Sequence, residues 1–301
     1  MKASSLLFIA AAAMANVGAC DDSIHKGWLV DRPRVLGARV SATAEPARAS
    51  LAPSERASIT WLVAVPEGAP KRAWAFAACV PPAGNFAEPK CEAPVIASGS
   101  GTATGESIAM DLVVPPAAAL GDATELLVLA AFCDDGAPAL DARAFTARCA
   151  SGEPLLSSLV VRLASAGPNA NPAPPSMRIG DANFPADDRA VAGGPCDGAP
   201  DAPKVEAGGP AVDFVYVFSG AEREPNESVT MSTIVTGGEL DRQYWTFDRE
   251  ESAPKELRIP WTPPARDRVG GAGQIVRFYA LLRDGRGGAS FSRFAICVRP
   301  S

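Results

Sequence analysis

Histidine is almost absent from this chain of 301 residues, which contains only one. That residue, His25, lies in a polar stretch near the N-terminus, where we expect a solvated tether. Catalysis by a Ser-His-Asp or Cys-His group needs a histidine beside the nucleophile, and most zinc sites also use one. The sequence therefore disfavours both kinds of site, and we expect no metal and no cofactor.

Motifs for phosphate and nucleophile chemistry are missing as well. The chain has no Gly-x-x-x-x-Gly-Lys phosphate loop and no Gly-x-Ser-x-Gly elbow. It also lacks a block of basic residues, since 28 Lys and Arg face 34 Asp and Glu for a formal charge of −6. A mildly acidic chain without a basic cluster lacks the electrostatic footprint of a nucleic-acid-binding protein. We therefore expect no nucleic-acid partner and no enzymatic activity.

The first apolar run is too short to cross a bilayer permanently. It covers residues 6–14, follows Lys2 and leads through small residues to a cysteine, which is typical of a signal peptide over residues 1–19. The sequence Val17-Gly18-Ala19-Cys20 resembles the bacterial lipobox, which implies cleavage before Cys20 and lipidation of that residue. Ordinary secretion is the alternative, because the same small residues also suit a non-lipoprotein cleavage site.

Lipidation at Cys20 would attach the mature chain to a membrane, because several acyl chains give a stable anchor where one does not. Residues 20–33 are then the lipidated N-terminus and a short tether. We expect a cell-envelope protein on the outer rather than the inner membrane, with the leaflet left open.

Short apolar runs separated by turn residues predict an all-β fold, since helical periodicity is scarce. Ile108, Met110, Leu112 and Val114 alternate with Ala109, Asp111 and Val113, as in a half-buried strand. A proline-rich stretch predicts a semi-stiff linker over residues 165–176. We therefore expect two tandem Ig-like β-sandwich domains, at residues 34–164 and 177–301.

The predicted strands lie at residues 36–42, 59–65, 74–80, 108–114, 125–132 and 158–163, then 177–179, 212–218, 228–235, 257–261, 274–283 and 289–298. The last two form a hairpin whose turn contains Asp284-Gly285, a pair that readily adopts positive φ. Gly99-Ser100-Gly101 is interpreted as a loop. Pro115 to Leu120 is also assigned to a loop, with a single helical turn as the alternative.

Six cysteines remain once Cys20 is set aside, and an exported protein is expected to pair them as disulfides. The second domain holds only Cys196 and Cys297, so those two should pair. The other four, Cys79, Cys91, Cys133 and Cys149, allow three pairings. We favour nearest neighbours, which would clip the loops at 81–90 and 134–148.

Candidate contact residues are few. Tyr244 and Trp245 are the best aromatic pair for a ligand, although packing at a core or sheet edge is the stronger interpretation. Carboxylates occur together at Asp134-Asp135, Asp187-Asp188 and residues 248–251, and a hydrolase can work with a positioned pair. All three clusters fall in predicted loops, where solvated charge is the simpler interpretation and calcium binding stays open.

The lipobox, Pro33-Arg34-Val35-Leu36 at the first strand and Leu282 to Gly288 at the last hairpin together resemble a known group. The chain is similar to lipoproteins of high-GC Gram-negative bacteria, especially myxobacteria, that carry tandem immunoglobulin-like domains. The resemblance implies an immunoglobulin-like fold and a location in the cell envelope, and it assigns no catalytic or binding residue.

Three functions follow as hypotheses. The first is a lipid-anchored envelope protein with a non-enzymatic binding or scaffolding role and an envelope protein as partner. The second is a carbohydrate- or peptidoglycan-binding module that uses Tyr244 and Trp245. The third is a carboxylate-pair hydrolase.

Overall fold

A computed structural model describes residues 26–68, 71–82, 89–184, 193–219, 227–247 and 256–300. Strands account for 53% of the residues and helices for 5%, so the all-β prediction is confirmed. None of the helices within those ranges has the length and apolar character needed to cross a membrane. The described residues do not include the predicted signal peptide, Cys20, His25, Asp187-Asp188 or residues 248–251.

Among its described residues, the N-terminal half contains nine strands and one α-helical turn. The strands are β1 Arg34–Ala42, β2 Arg56–Ala64, β3 Lys71–Cys79, β4 Ala97–Thr104, β5 Ser107–Val113, β6 Glu125–Cys133, β7 Ala139–Asp141, β8 Thr146–Arg148 and β9 Leu155–Arg162, and the turn α1 is Ala117–Leu120. One sheet has the order β1-β2-β5 and the other the order β4-β3-β6-β9, while β7 and β8 form a small hairpin. The helical alternative for Pro115 to Leu120 is thus the one observed.

These two sheets share one hydrophobic core. Trp61 on β2 and Phe132 on β6 meet there edge to face at 5.8 Å between ring centroids. After Glu125, β6 is apolar and buried throughout because both of its faces are covered. Leu127 and Leu129 on its outer face pack with Ala142 in the β7–β8 hairpin.

The described part of the C-terminal half contains ten strands in two further sheets. The strands are β10 Ser176–Ile179, β11 Ala182–Phe184, β12 Lys204–Glu206, β13 Val212–Val217, β14 Val229–Val235, β15 Glu239–Leu240, β16 Tyr244–Phe247, β17 Glu256–Thr262, β18 Gln274–Asp284 and β19 Ala289–Arg299. The sheets have the orders β11-β10-β13-β17-β15 and β12-β19-β18-β14-β16. All pairs are antiparallel except β12 with β19.

The second core is dominated by aromatic residues from both sheets. Phe214 on β13 lies 4.4 Å from Phe278 on β18, and Trp261 on β17 lies 5.2 Å from Phe278, measured between ring centroids. Edge-to-face and tilted pairs of this kind add to the stabilisation that apolar burial provides. The predicted hairpin of the last two strands is present, and its inner face supplies much of this core.

Three disulfides join Cys79 to Cys91, Cys133 to Cys149 and Cys196 to Cys297. These are the pairs favoured from the sequence. Cys79 and Cys91 pack with Leu127 and Leu129 on the outer face of the β3–β6 pair, and the second disulfide joins the end of β6 to the residue after β8. The third connects the 3₁₀ turn at Cys196–Gly198 to β19, the last strand.

β4 is a strand where the sequence predicted a loop. Gly99 pairs with Phe76, and Gly101 pairs with Trp74, across the β3–β4 ladder. The two rings stack at 6.3 Å and lie over the glycines, so a Cβ at Gly99 would be 2.7 Å from Phe76 Cε1. Glycine is therefore used here for close approach of a ring to the backbone, and not for a turn.

This packing predicts that Gly99→Val destabilises the fold although valine favours strands. The ring of Phe76 is 4% exposed and has no free space to move into, so we expect a loss of about 1–3 kcal/mol in the free energy of unfolding. Urea unfolding followed by tryptophan fluorescence measures it. The control is Ser100→Val, whose side chain points outward from the same strand. Equal stability of the two variants would contradict the close approach.

Candidate functional site: the junction between the two halves

The two halves meet through an apolar cluster that neither half completes alone. Its eight buried members come in equal numbers from both: Val30, Leu36, Leu62 and Ala64, then Ile234, Tyr279, Leu281 and Phe291. The second group lies on the outer face of the sheet whose inner face forms the C-terminal core. This is why the last two strands are buried on both faces.

A buried carboxylate lies at the centre of this junction. Glu106, in the turn between β4 and β5, is 2% exposed. Its Oε1 accepts hydrogen bonds of 2.6 Å from Arg277 Nη1 and from Tyr279 Oη, both on β18. Arg293 on β19 places Nη1 3.8 Å from the other oxygen. Three side chains of the last hairpin thus surround one carboxylate of the N-terminal half.

Arg277 also binds the backbone of the N-terminal half. Its Nη2 donates to the carbonyls of Val65 and Pro66 at 2.5 and 2.8 Å, and its Nη1 donates to that of Gly68 at 3.3 Å. The side chain is 1% exposed, so its charge is held by these carbonyls and by Glu106 instead of by water. A guanidinium suits this role because its planar set of donors can serve several acceptors at once.

Burial and the neighbouring carboxylate change the acidity of the phenol in this cluster. The pKa of Tyr279 is raised well above its ordinary value, first because the ring is buried and then because the charge of Glu106 disfavours a phenolate. Tyr279 is therefore a neutral hydrogen-bond donor at every physiological pH. The cluster acts as a fixed electrostatic contact between the two halves.

The predicted linker is bound on both sides. Asn169 accepts at its backbone carbonyl from Ala49 in the N-terminal half, and its Nδ2 donates to Asp284 Oδ2 at 3.1 Å in the C-terminal half. Asn171 donates to the carbonyl of Val40 at 2.7 Å and accepts from the amide of Ala289 at 3.0 Å. The predicted linker begins inside a 3₁₀ turn, Ala164–Ala166, and the contacts of Asn169 and Asn171 fix its position between the two halves.

The turn between β18 and β19 borders a cavity of about 250 Å³ at the junction. Asp284 lines it and is held by the amides of Arg286 and Gly288, each at 2.7 Å. Burial raises the pKa of this carboxyl above its ordinary value. Trp61 also lines the cavity, and its buried Nε1 has no hydrogen-bond partner among the residues that the structure describes.

The sequence-predicted contact residues lie elsewhere, on the edge strand β16. The side chain of Tyr244 is 53% exposed, whereas Trp245 is half-buried against the C-terminal core. Successive residues of a strand point to opposite faces, so the two rings do not form one platform. Trp245 instead lies beneath the guanidinium of Arg242, at 5.7 Å from the ring centroid.

Of the carboxylate clusters, only Asp134-Asp135 lies in the described part of the chain. Asp134 Oδ1 is 2.9 Å from the guanidinium of Arg72, which is almost fully buried. This carboxylate therefore neutralises a structural arginine. Within the described ranges, no group of three or more His, Cys, Asp or Glu side chains is placed to hold a metal ion.

Sequence reasoning missed the junction residues, although a signal was present. Arg277 interrupts the apolar strand β18 between Val276 and Phe278, and Arg293 precedes the apolar stretch at the end of β19. A charged residue in a buried strand must find a buried partner. What the pattern could not supply is the identity of that partner. Glu106 follows a glycine in an ordinary turn, 171 positions before Arg277.

Comparisons with known proteins identify no family. No family model matches the chain, and no curated protein does either. Among solved structures, a transglutaminase from red sea bream aligns with 89% of this chain at 8% identity and a TM-score of 0.28. A mutant α2-macroglobulin from Salmonella aligns with 87% at 13% identity and a TM-score of 0.23. The aligned region spans 32% and 16% of those two chains, and likeness at this level carries no argument about function.

Removing the buried negative charge tests the junction. Glu106→Gln keeps the shape of the side chain but leaves Arg277 and Arg293 without their counter-charge. Breaking a buried ion pair from one side typically costs about 3–5 kcal/mol, and we expect a loss of that size in the free energy of unfolding. Urea denaturation with intact disulfides measures it, with Glu153→Gln at an exposed position as the control. A loss no larger than that of the control would contradict the assigned role.

A second ion pair, beside the linker, predicts a pH dependence. Glu55 binds Arg48, and this hydrogen bond holds the pKa of Glu55 below its ordinary value. Arg48 also forms a backbone bridge with Ala170 in the linker. A carboxyl with a depressed folded-state pKa contributes stability that is present above the unfolded-state pKa and is lost as the pH falls through the folded-state value.

Glu55→Gln should therefore flatten the fall of stability with pH in the acid range below the ordinary pKa of glutamate. Urea unfolding at a series of pH values from neutral to acid measures this slope. Asp111→Asn, at an exposed position on β5, should leave the slope unchanged. An unchanged slope for Glu55→Gln would show that the Arg48 contact does not stabilise the folded state.

Proposed function

We propose that the protein is a lipid-anchored component of the bacterial cell envelope with a non-enzymatic binding or scaffolding role. In this proposal residues 34–164 and 177–301 are two tandem Ig-like β-sandwich domains, and the partner is another envelope component. Cys20 carries the lipid, and the outer membrane is the expected site. The observation that carries the proposal is the junction, which makes the two sandwiches one unit.

The junction supports such a role because its contacts oppose relative motion. Two domains on a chain normally move against each other unless their interface is large and apolar. Here an eight-residue apolar cluster joins the halves, and rotation of one half would separate Glu106 from Arg277 and leave both charges without a partner. A unit of fixed shape presents a binding surface at a constant position, which favours display or scaffolding.

The three disulfides agree with an exported location. Disulfides persist in oxidising compartments such as the periplasm and the cell surface. Two of them close the loops on the outer face of the N-terminal half and so limit the number of conformations those loops can adopt. Restricting loops in this way lowers the entropy lost when a partner binds.

A carbohydrate-binding role for Tyr244 and Trp245 has less support. Sugar rings stack on an exposed aromatic face, and these two side chains point to opposite faces of β16. Trp245 is also covered on one side by Arg242. For these reasons we give priority to a protein partner.

The proposal predicts a discrete partner contact that depends on anchoring. Photo-crosslinking residues placed at the exposed apolar positions Val95, Val113 and Leu156 should give a distinct adduct from at least one position in living cells. Polar positions Thr102 and Glu153 serve as matched controls. Cys20→Ser should release the chain from the membrane fraction and abolish the adduct.

Intact-mass analysis of the same material checks for the lipid and for three disulfides. A wild-type chain without lipid would overturn the anchoring. A lipidated chain that gives no discrete adduct at any of the three apolar positions would overturn the binding role.

A further inference from the structure

The two sheets of the N-terminal half each end in an edge strand on the same side of the sandwich. β1 is the edge of the sheet β1-β2-β5, and β9 is the edge of the sheet β4-β3-β6-β9. Residues 35–38 of β1 and 157–159 of β9 line the same cavity, and no ladder joins the two strands in the described chain. We call the gap between β1 and β9 the seam.

One end of the seam is filled by the chain itself. The amide of Ala42, at the end of β1, donates to the carbonyl of Arg48 at 3.1 Å. Leu51 donates to the carbonyl of Arg162 at 3.0 Å and accepts from the amide of Ala164 at 2.7 Å. The short segment from Arg48 to Leu51 thus hydrogen-bonds to both strands, and it shows that the seam accommodates added backbone.

The other end of the seam is open. The cavity of about 250 Å³ described above lies there, bordered by β1, β9 and the turn between β18 and β19. Sites for drug-sized ligands usually have volumes of about 300–1,000 Å³, so this space is small for such a ligand. Because two of its walls are strands, it suits a short stretch of extended chain.

β9 directs unpaired backbone groups into the open end. Successive residues of an antiparallel strand turn their amides and carbonyls toward alternate edges. Arg162 turns its carbonyl toward the seam, where Leu51 binds it, so Leu156, Ser158 and Val160 turn theirs the same way. Among the described residues, β9 pairs only with β6 on its other side, and no hydrogen bond reaches these three backbones from the seam.

β1, by contrast, is protected against pairing. Its register shifts at a bulge between Val35 and Gly37. The guanidinium of Arg283 donates to the carbonyl of Leu36, which lies within that bulge. A bulge and a bound carbonyl both hinder the addition of another strand, as in many natural sheet edges.

β9 has none of these protections over Leu155 to Val161. The segment contains no charged residue and no proline, and its register with β6 is continuous. Leu156 is 36% exposed, and Ser158 is also exposed. An exposed, uncharged and regular edge of this kind is a template for another strand.

The charged groups at the seam already have partners. Arg283 binds the carbonyl of Leu36, and Asp284 accepts from the amides of Arg286 and Gly288. A charged residue entering the cavity would therefore gain no free counter-charge. The remaining lining includes Trp61 and Leu159, which favours an uncharged occupant.

We propose that the open end of the seam binds an extended, uncharged peptide segment of a partner protein, which pairs with the outer edge of β9 between Leu156 and Val160. In strand addition of this kind, main-chain hydrogen bonds supply affinity and pockets for alternate side chains supply specificity. The inference rests on the proposed binding role, for which it supplies the contact surface, and it does not depend on the lipid.

Hydrogen exchange and a peptide library test the pairing. In the free protein, the amides of Leu156, Ser158 and Val160 should exchange faster than those of Ser157 and Leu159, which face β6. Linear heptapeptides selected from a displayed library against the full chain should be uncharged, and their addition should slow exchange at the three outer amides. A library that yields no binder, or binders that leave these amides unprotected, would overturn the proposal.

Substitutions on the edge test the same contact. Ser158→Pro removes an outward donor without removing a bond to β6, and proline is tolerated at such edge positions. We expect the selected peptides to bind about tenfold more weakly. Ser158→Lys, which adds a charge to the edge, should also weaken binding, whereas Ser98→Lys on the opposite edge strand β4 should not.

Urea unfolding confirms that each variant is folded, and Ser158→Lys decides the test where Ser158→Pro is not. Equal affinity of the wild type and the folded Ser158 variants would refute pairing at β9.

The crosslinking experiment described above separates this inference from the proposed function. An adduct at Leu156 that Ser158→Pro abolishes supports both. Adducts at Val95 or Val113 alone, with no peptide bound at the seam, would overturn the seam and leave the binding role. Peptides bound at the seam, with no adduct at any of the three positions in cells, would overturn the envelope role alone.

Discussion

A single buried carboxylate determines how the two halves of this molecule fit together. Glu106 has almost no contact with water, and an ionised carboxylate in such a place is stable only when cations and hydrogen-bond donors replace the solvent. Arg277, Arg293 and Tyr279 supply that replacement, and all three lie on the last two strands. The turn that carries Glu106 can therefore occupy one position against the final hairpin.

The final hairpin consequently has more structural roles than any other part of the described chain. One face of β18 and β19 forms the C-terminal core, and the other covers the N-terminal half. The turn between them holds the linker through Asp284 and Asn169, and β19 ends near the disulfide of Cys297. A hairpin buried on both faces needs near-continuous apolar sequence, which is why the interrupting arginines are informative.

The sequence was sufficient for features that depend on neighbouring residues. Alternation along residues 108–114 located β5, a turn pair located the last hairpin, and cysteine spacing favoured the three disulfides. It was insufficient where a residue far away in the sequence determines the local structure or the burial of a side chain. Gly99 and Gly101 form a strand because Phe76 and Trp74 lie across them, and Glu106 is buried because of residues about 170 positions later. No local pattern records either relationship.

Because the junction is rigid, a short tether can orient both halves of the molecule and not only the half it enters. With a flexible linker, any orientation imposed on one half by a membrane would be lost in the other. Here the tether enters beside β16, Val30 belongs to the junction cluster, and the linker is bound on both sides. Under the proposed anchoring, the point of attachment and the junction share one sheet, that of β14, β16, β18 and β19. An orientation fixed at the bilayer is then transmitted to the exposed loops of the N-terminal half, because the described contacts from Val30 through β14, β18 and the linker join the two halves directly.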